Sequence, residues 1–86
     1  MDHPMSDIST KDFVAFLVKA LVDDTASVVV SEVAGIQTDV IEVQVARGDV
    51  GKVIGRQGKT ADAIRHLVAC VAAKGSRRCI LQINDP

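Results

Sequence analysis

The sequence predicts an α+β domain, helices packed on one small sheet, and three observations lead there. Residues 27–34 and 38–46 are rich in β-branched side chains, with clear alternation at Ile41, Val43 and Val45, which is the period of a half-buried strand. Residues 9–22 and 60–73 instead repeat their apolar residues at helical spacing. A last β-branched run, Arg78 to Ile83, follows the second helix, giving the order helix, strand, strand, short helix, helix, strand.

A chain of 86 residues is the length of one domain with a modest core. Hydrophobic residues make up 48% of it and aromatics 2%, so that core must be built from Val, Ile, Leu and Ala. The absence of Trp and Tyr, with both Phe residues in one helix, argues against recognition of bases by stacked aromatics, as RRM and OB domains do it. Cys70 and Cys79 belong to no CxxC or Cys/His cluster and read as buried, reduced thiols, the usual state in a cytoplasmic protein. No secretory leader is expected, because the apolar run from Phe13 to Val22 is short, contains Lys19 and follows an acidic start. The same run is too short to span a membrane.

Residues 1–7 show no periodicity and are expected to form a flexible tail, leaving 8–84 as the single domain. Ser9 is placed to cap the first helix, with Asp12 complementing the helix dipole and Ile8 and Phe13 positioned as a hydrophobic staple. Its expected inner stripe is Phe13, Leu17, Ala20 and Leu21, with Phe16 at the edge and Val18 and Val22 near the polar side. Gly35-Ile36-Gln37 is the right length for a hairpin turn, which makes the first two strands antiparallel. After Arg47-Gly48, Asp49 is expected to cap a very short helix through Ile54, with Lys52 exposed and Val53 and Ile54 inward. In the long helix, Ile64, Leu67, Val68 and Val71 form the expected stripe, and Lys74-Gly75-Ser76 ends it through the glycine. In the last strand Cys79, Leu81 and Ile83 should face inward.

Between the two later helices lies Val53-Ile54-Gly55-Arg56-Gln57-Gly58-Lys59-Thr60. A Walker loop and a dinucleotide-binding fingerprint would both require glycine at Val53, and both fail there. What remains is G-x-x-G ahead of a helix whose first N–H groups lack intrahelical partners and whose dipole attracts anions. Arg56 and Lys59 add cations and Gln57 a neutral donor, a set suited to gripping a sugar-phosphate chain without reading bases.

Charge is segregated in the same sense. Residues 1–46 hold two basic side chains against eight acidic ones. Residues 47–86 hold eight (Arg47, Lys52, Arg56, Lys59, Arg65, Lys74, Arg77, Arg78) against Asp49, Asp62 and Asp85, so the near-neutral total hides a basic half.

The loop resembles the K homology (KH) motif, which clamps about four backbone nucleotides of single-stranded RNA. Through Val28 to Glu32, Asp49 to Thr60 and Ala61-Asp62-Ala63-Ile64-Arg65, residues 8–83 resemble a type II KH domain of the KhpA-like family of small bacterial RNA-binding proteins. The resemblance implies an α-β-β-α-α-β fold with a mixed three-stranded sheet carrying three helices on one face. It implies a clamp at Gly55, Arg56, Gln57 and Gly58, with Lys59, Lys52, Ile54 and Arg78 as further RNA-binding positions. Val53, Ile54, Ile64 and Ile80 are candidates for the floor of an apolar base groove or for plain core. Arg77 and Arg78 are either auxiliary phosphate contacts or charges protecting an edge strand. The resemblance further implies pairing with itself and with a second KH protein of the KhpB (Jag) kind, and a cytoplasmic role as an RNA chaperone in post-transcriptional control affecting cell shape and wall synthesis.

Catalysis has no support: His3 and His66 have no paired carboxylates or metal-ligand spacing beside them, and no metal or cofactor is called for. His66 reads as a surface residue. Two other functions are compatible with the residues. One is a protein-interaction module that uses Phe16 and the apolar surface of the first helix. The other is a single-stranded DNA binder, since a phosphate grip does not test for a 2′-hydroxyl.

Overall fold

The computed structural model describes residues 9–84. Helix α1 (Thr10–Leu21) leads through a 3-10 turn (Thr25–Ser27) into strands β1 (Val29–Ala34) and β2 (Thr38–Gln44). A second such turn (Arg47–Asp49), helix α2 (Val50–Ile54), the glycine loop, helix α3 (Lys59–Lys74) and strand β3 (Arg78–Asn84) complete the chain. The sheet order is β1-β2-β3, antiparallel for the first pair and parallel for the second, so the crossover between β2 and β3 carries α2, the loop and α3. This is the mixed three-stranded α+β arrangement expected.

Ser9 starts α1 as the sequence indicates: its Oγ accepts from the Asp12 N–H at 3.0 Å. The proposed staple partner Ile8 and the expected tail, residues 1–7, lie outside the described residues. The buried stripe of α1 differs from expectation. Val14, Val18 and Val22 face the core, Leu17 packs at its margin, Ala20 and Leu21 are exposed, and Phe16 is 70% exposed. Residues 13–22 are apolar on most of the helix circumference, so periodicity alone allows more than one stripe. Tertiary contact selects the slim valines, which let the helix sit close to the sheet.

The core is aliphatic throughout: Val14, Val18, Ile41, Val43, Val45, Val53, Ile64, Val68 and Leu81 are buried together. Each such side chain contributes about 1.5–3 kcal/mol relative to leaving it in water. Ile41 and Val43 of β2 and Leu81 of β3 point toward the helices, whereas Glu42, Gln44 and Ile80 turn to the other side of the pleat. On α3 the inner residues are Ala61, Ile64, Val68 and Ala72; Leu67, expected in the stripe, is exposed, Val71 is half-buried, and Cys70, expected to be buried, is on the outer face and exposed, while Cys79 on β3 is half-buried.

Two local expectations are corrected. Asp49 does not cap α2 with its side chain. Asp49 is only 4% exposed, and its carboxylate reaches back to accept from the N–H groups of Asp24 (3.0 Å) and Asp23 (3.3 Å), joining the chain that leaves α1 to the start of α2. Helix α3 ends with Gly75 as its C-cap, where the sequence puts the stop, but the left-handed residue is Ser76 and not the glycine. Gly75 has φ −96°, and Ser76 takes φ 61°, while the N–H groups of Ser76 and Arg77 donate to the carbonyls of Ala73 and Ala72. That paired closure is a Schellman-type stop.

Candidate nucleic-acid interface

The loop between α2 and α3 has backbone angles that explain its two glycines separately. Gly55 takes φ 78° and ψ 173°, a region essentially closed to residues with a Cβ. A Cβ there would also stand 2.8 Å from the backbone nitrogen of Thr60. Glycine at 55 is therefore demanded by the loop's own folding, not by room for a ligand. Gly58 has φ 76° and ψ 9°, and a Cβ there would meet nothing within 4 Å. Its main chain is bare on a side open to an approaching group. Gln57 is also left-handed, with φ 58°, and the Gly58 N–H closes the turn on the Gly55 carbonyl at 3.1 Å.

Helix α3 begins directly at this turn; the Lys59 N–H donates to the Arg56 carbonyl, and among the described residues no side chain caps the N–H groups that follow. Sixteen residues of aligned peptides stand behind that end. Arg56, Gln57 and Lys59 are exposed around it, and neither Arg56 nor Lys59 makes an ion pair or side-chain hydrogen bond among the described residues.

The other anticipated residues are placed differently. Ile54 is half-buried beneath the loop, and Val53 and Ile64 belong to the core, supporting the loop from below. Ile80 is half-exposed but lies on the sheet face opposite the helices, away from the glycine loop. Lys52 stands one turn before the loop, already committed to Asp49 Oδ1 (3.2 Å) and Asp23 Oδ2 (3.4 Å). Those hydrogen bonds, Asp49 first, raise the Lys52 pKa, and the Asp24 N–H is the leading reason that Asp49 sits below the usual carboxylate range.

Arg78 heads β3, at the far end of α3 from the loop, a helix length of about 24 Å. Arg77 is not free for phosphate. Its Nε and Nη2 hold Asp39 at 2.8 and 2.6 Å, and its Nη2 and Nη1 also donate to the carbonyls of Gly35 (2.9 Å) and Ile36 (3.2 Å). This side chain fastens the β1–β2 hairpin to the connection between α3 and β3. Sequence reasoning missed both this fastening and the Asp49 contact because the partners are distant in the chain and no local motif marks them.

The KH-domain family described as KhpA/KhpB matches residues 11–83, nearly all of the elements above. The chain belongs to that family. Among individual relatives, the RNA-binding protein KhpA of Caldanaerobacter subterraneus subsp. tengcongensis is 47% identical over 72 residues, covering 84% of this chain and 96% of its own. The protein of the same name from Chlamydia trachomatis is 44% identical over 75 residues, 87% of this chain and 96% of the relative. That from Borreliella burgdorferi is 42% identical over 74 residues, 86% and 90% of the two chains. No solved structure matches the chain. The KhpA/KhpB family is one of KH domains, not of enzymes. Among the described residues no helix is long and apolar enough to cross a membrane, and no group of three or more His, Cys, Asp or Glu is gathered as a metal site.

Proposed function

We propose that this KH domain binds single-stranded RNA by laying the Gly55–Gly58 main chain and the first turn of α3 against the sugar-phosphate backbone. The observation that carries the reading is the bare, left-handed Gly58 at the start of α3, a helix with no side-chain cap, flanked by Arg56 and Lys59, which have no partner among the described residues. Gln57 supplies a neutral donor, and Ile54 and Lys52 border the loop. Relatives bearing the name RNA-binding protein KhpA over most of the same length support it.

A clamp of about four nucleotides binds weakly alone, so useful affinity comes from linking two clamps. Membership of the KhpA/KhpB family, rather than the loop geometry, is what supports the finer proposal: self-association or pairing with a second KH protein of the KhpB (Jag) kind, and work in the cytoplasm as an RNA chaperone and post-transcriptional regulator touching cell shape and wall synthesis. The exposed Phe16 on α1 favours an apolar protein contact there, and it is the specific observation behind the second reading, a KH fold used chiefly for association.

The test replaces Arg56 and Gln57 together by Asp. Aspartate tolerates the left-handed backbone of position 57, and both side chains are exposed, so thermal unfolding should stay nearly unchanged. RNA binding should be lost, and a variant that shifts RNA in a gel as wild type does would remove the clamp. The slope of log affinity against log salt should be about −0.7 per phosphate held. Equal affinity for the matching DNA would assign the grip to phosphates alone, without RNA selectivity.

A further inference from the structure

The sheet has two open edges, and the fold guards only one of them. The Arg78 N–H donates to the Gln37 carbonyl at 2.8 Å, which turns the main-chain groups of Leu81 to the outer edge of β3. There Arg65 Nε donates to the Leu81 carbonyl at 3.5 Å, and Arg78 heads the strand with a charge. Strand β1 has no such protection. Val29–Ala34 contains no Lys, Arg or Pro, pairs with β2 in one unbroken register without a bulge, and is exposed at every residue but the half-buried Val30.

The hairpin shows which main-chain groups of β1 are free. The Gly35 N–H donates to the Thr38 carbonyl at 2.8 Å, and the alternation of an antiparallel ladder then turns Val33, Ser31 and Val29 toward β2 and Ala34, Glu32 and Val30 toward the open edge. Among the described residues nothing pairs with the main chain of those last three. Val29 (52% exposed), Ser31 and Val33 (62% exposed) carry their side chains on the sheet face away from the helices.

We propose that β1 is a self-association surface, pairing antiparallel with β1 of a second copy about a two-fold axis at Ser31 and joining two sheets into one of six strands. This deepens the self-association proposed above by naming its surface, and it does not depend on the RNA clamp. The occupant is a second copy because the strand is complementary to itself in one register. A two-fold axis normal to the sheet brings together only residues from the same side of the pleat, so it must pass through a residue paired with its own counterpart. At Glu32 it would set two carboxylates opposite each other, and at Val30 or Val33 it would leave one of the exposed valines facing no strand residue. At Ser31 the entire strand is used. Val30 exchanges main-chain hydrogen bonds with Glu32 of the second copy, and Val29 meets Val33 of the second copy on either side of the axis. The same axis keeps both helix layers, and with them both glycine loops, on one face of the joined sheet, as an RNA strand reaching two clamps requires.

The experiment is sedimentation equilibrium of the full chain without RNA, where wild type should be mainly dimeric at about 100 µM. Glu32→Pro costs the monomer no ladder hydrogen bond, since that N–H faces the open edge, but it removes a donor from the joint. Ser31→Lys keeps every main-chain group and sets two lysines face to face at the axis. Each should weaken the dimer by about tenfold or more, with the far-UV circular dichroism unchanged. In a Cys70→Ser background, Ser31→Cys should form an intermolecular disulfide under mild oxidation, its Cα atoms lying about 4.5 Å apart. Ala34→Cys, about 20 Å from its counterpart in this register, should not. A dimer that survives both Glu32→Pro and Ser31→Lys overturns the β1 surface while self-association stands, and a wild type that is monomeric at that concentration overturns both.

Discussion

Arg77 and Arg56 carry the same guanidinium, and the fold treats them in opposite ways. Arg77 is surrounded by acceptors that the chain supplies, both oxygens of Asp39 and the carbonyls of Gly35 and Ile36, so its donors are consumed in holding the hairpin. Arg56 stands where the main chain turns left-handed and no side chain caps the start of α3, and its guanidinium has no acceptor among the described residues. Lys52 and Lys59 repeat the contrast, the first tied to Asp49 and Asp23 and the second to nothing described. A basic residue therefore indicates a polyanionic ligand only when the fold has not already provided its counter-charge.

The same division separates Gly55 from Gly58, and breaking it at Gly55 should have the largest effect on stability. Gly55→Ala forces a Cβ into a glycine-only backbone region against Thr60 and should lower the thermal midpoint by on the order of 15 °C in calorimetry. A shift of no more than a degree or two would mean that the loop relaxes freely.

A smaller effect is expected at the fastening. Arg77→Ala should lower the midpoint by about 5 °C and leave RNA affinity within about twofold, the reverse of the loop double variant. If Arg77→Ala instead abolished RNA binding in a stable protein, the contrast between paired and free cations would fail.

The smallest effect concerns acid. The Arg77 guanidinium lowers the Asp39 pKa, and the Asp24 N–H leads in lowering that of Asp49. A depressed carboxylate stabilises the fold fully above its unfolded pKa of about 3.9, and that contribution is lost as pH falls through the folded value. The thermal midpoint should then stay level from neutral pH down to about 5 and drop below about 4. Asp39→Asn should lower the neutral midpoint and flatten the acid limb; an acid limb as steep as that of wild type would dissociate Asp39 from it.

Local signals determined a great deal. Ser9 capping α1, the alternation of Ile41, Val43 and Val45, the hairpin at Gly35 to Gln37 and the glycine pair ahead of α3 each depend on residues close in the chain, and the structure has them where the sequence puts them. The candidate clamp was legible for the same reason, since turn geometry and a helix start are local matters. Packing was decided only in three dimensions. An α1 that is apolar nearly all round gives no preferred stripe until a sheet is laid against it, and the burial of Val14 and Val18 over Phe16 follows from that contact. The same holds for which cations are spent within the fold: Asp39 meets Arg77, and Asp49 meets the main chain after α1, across separations that no spacing rule encodes, because only folding brings those charges and donors within reach.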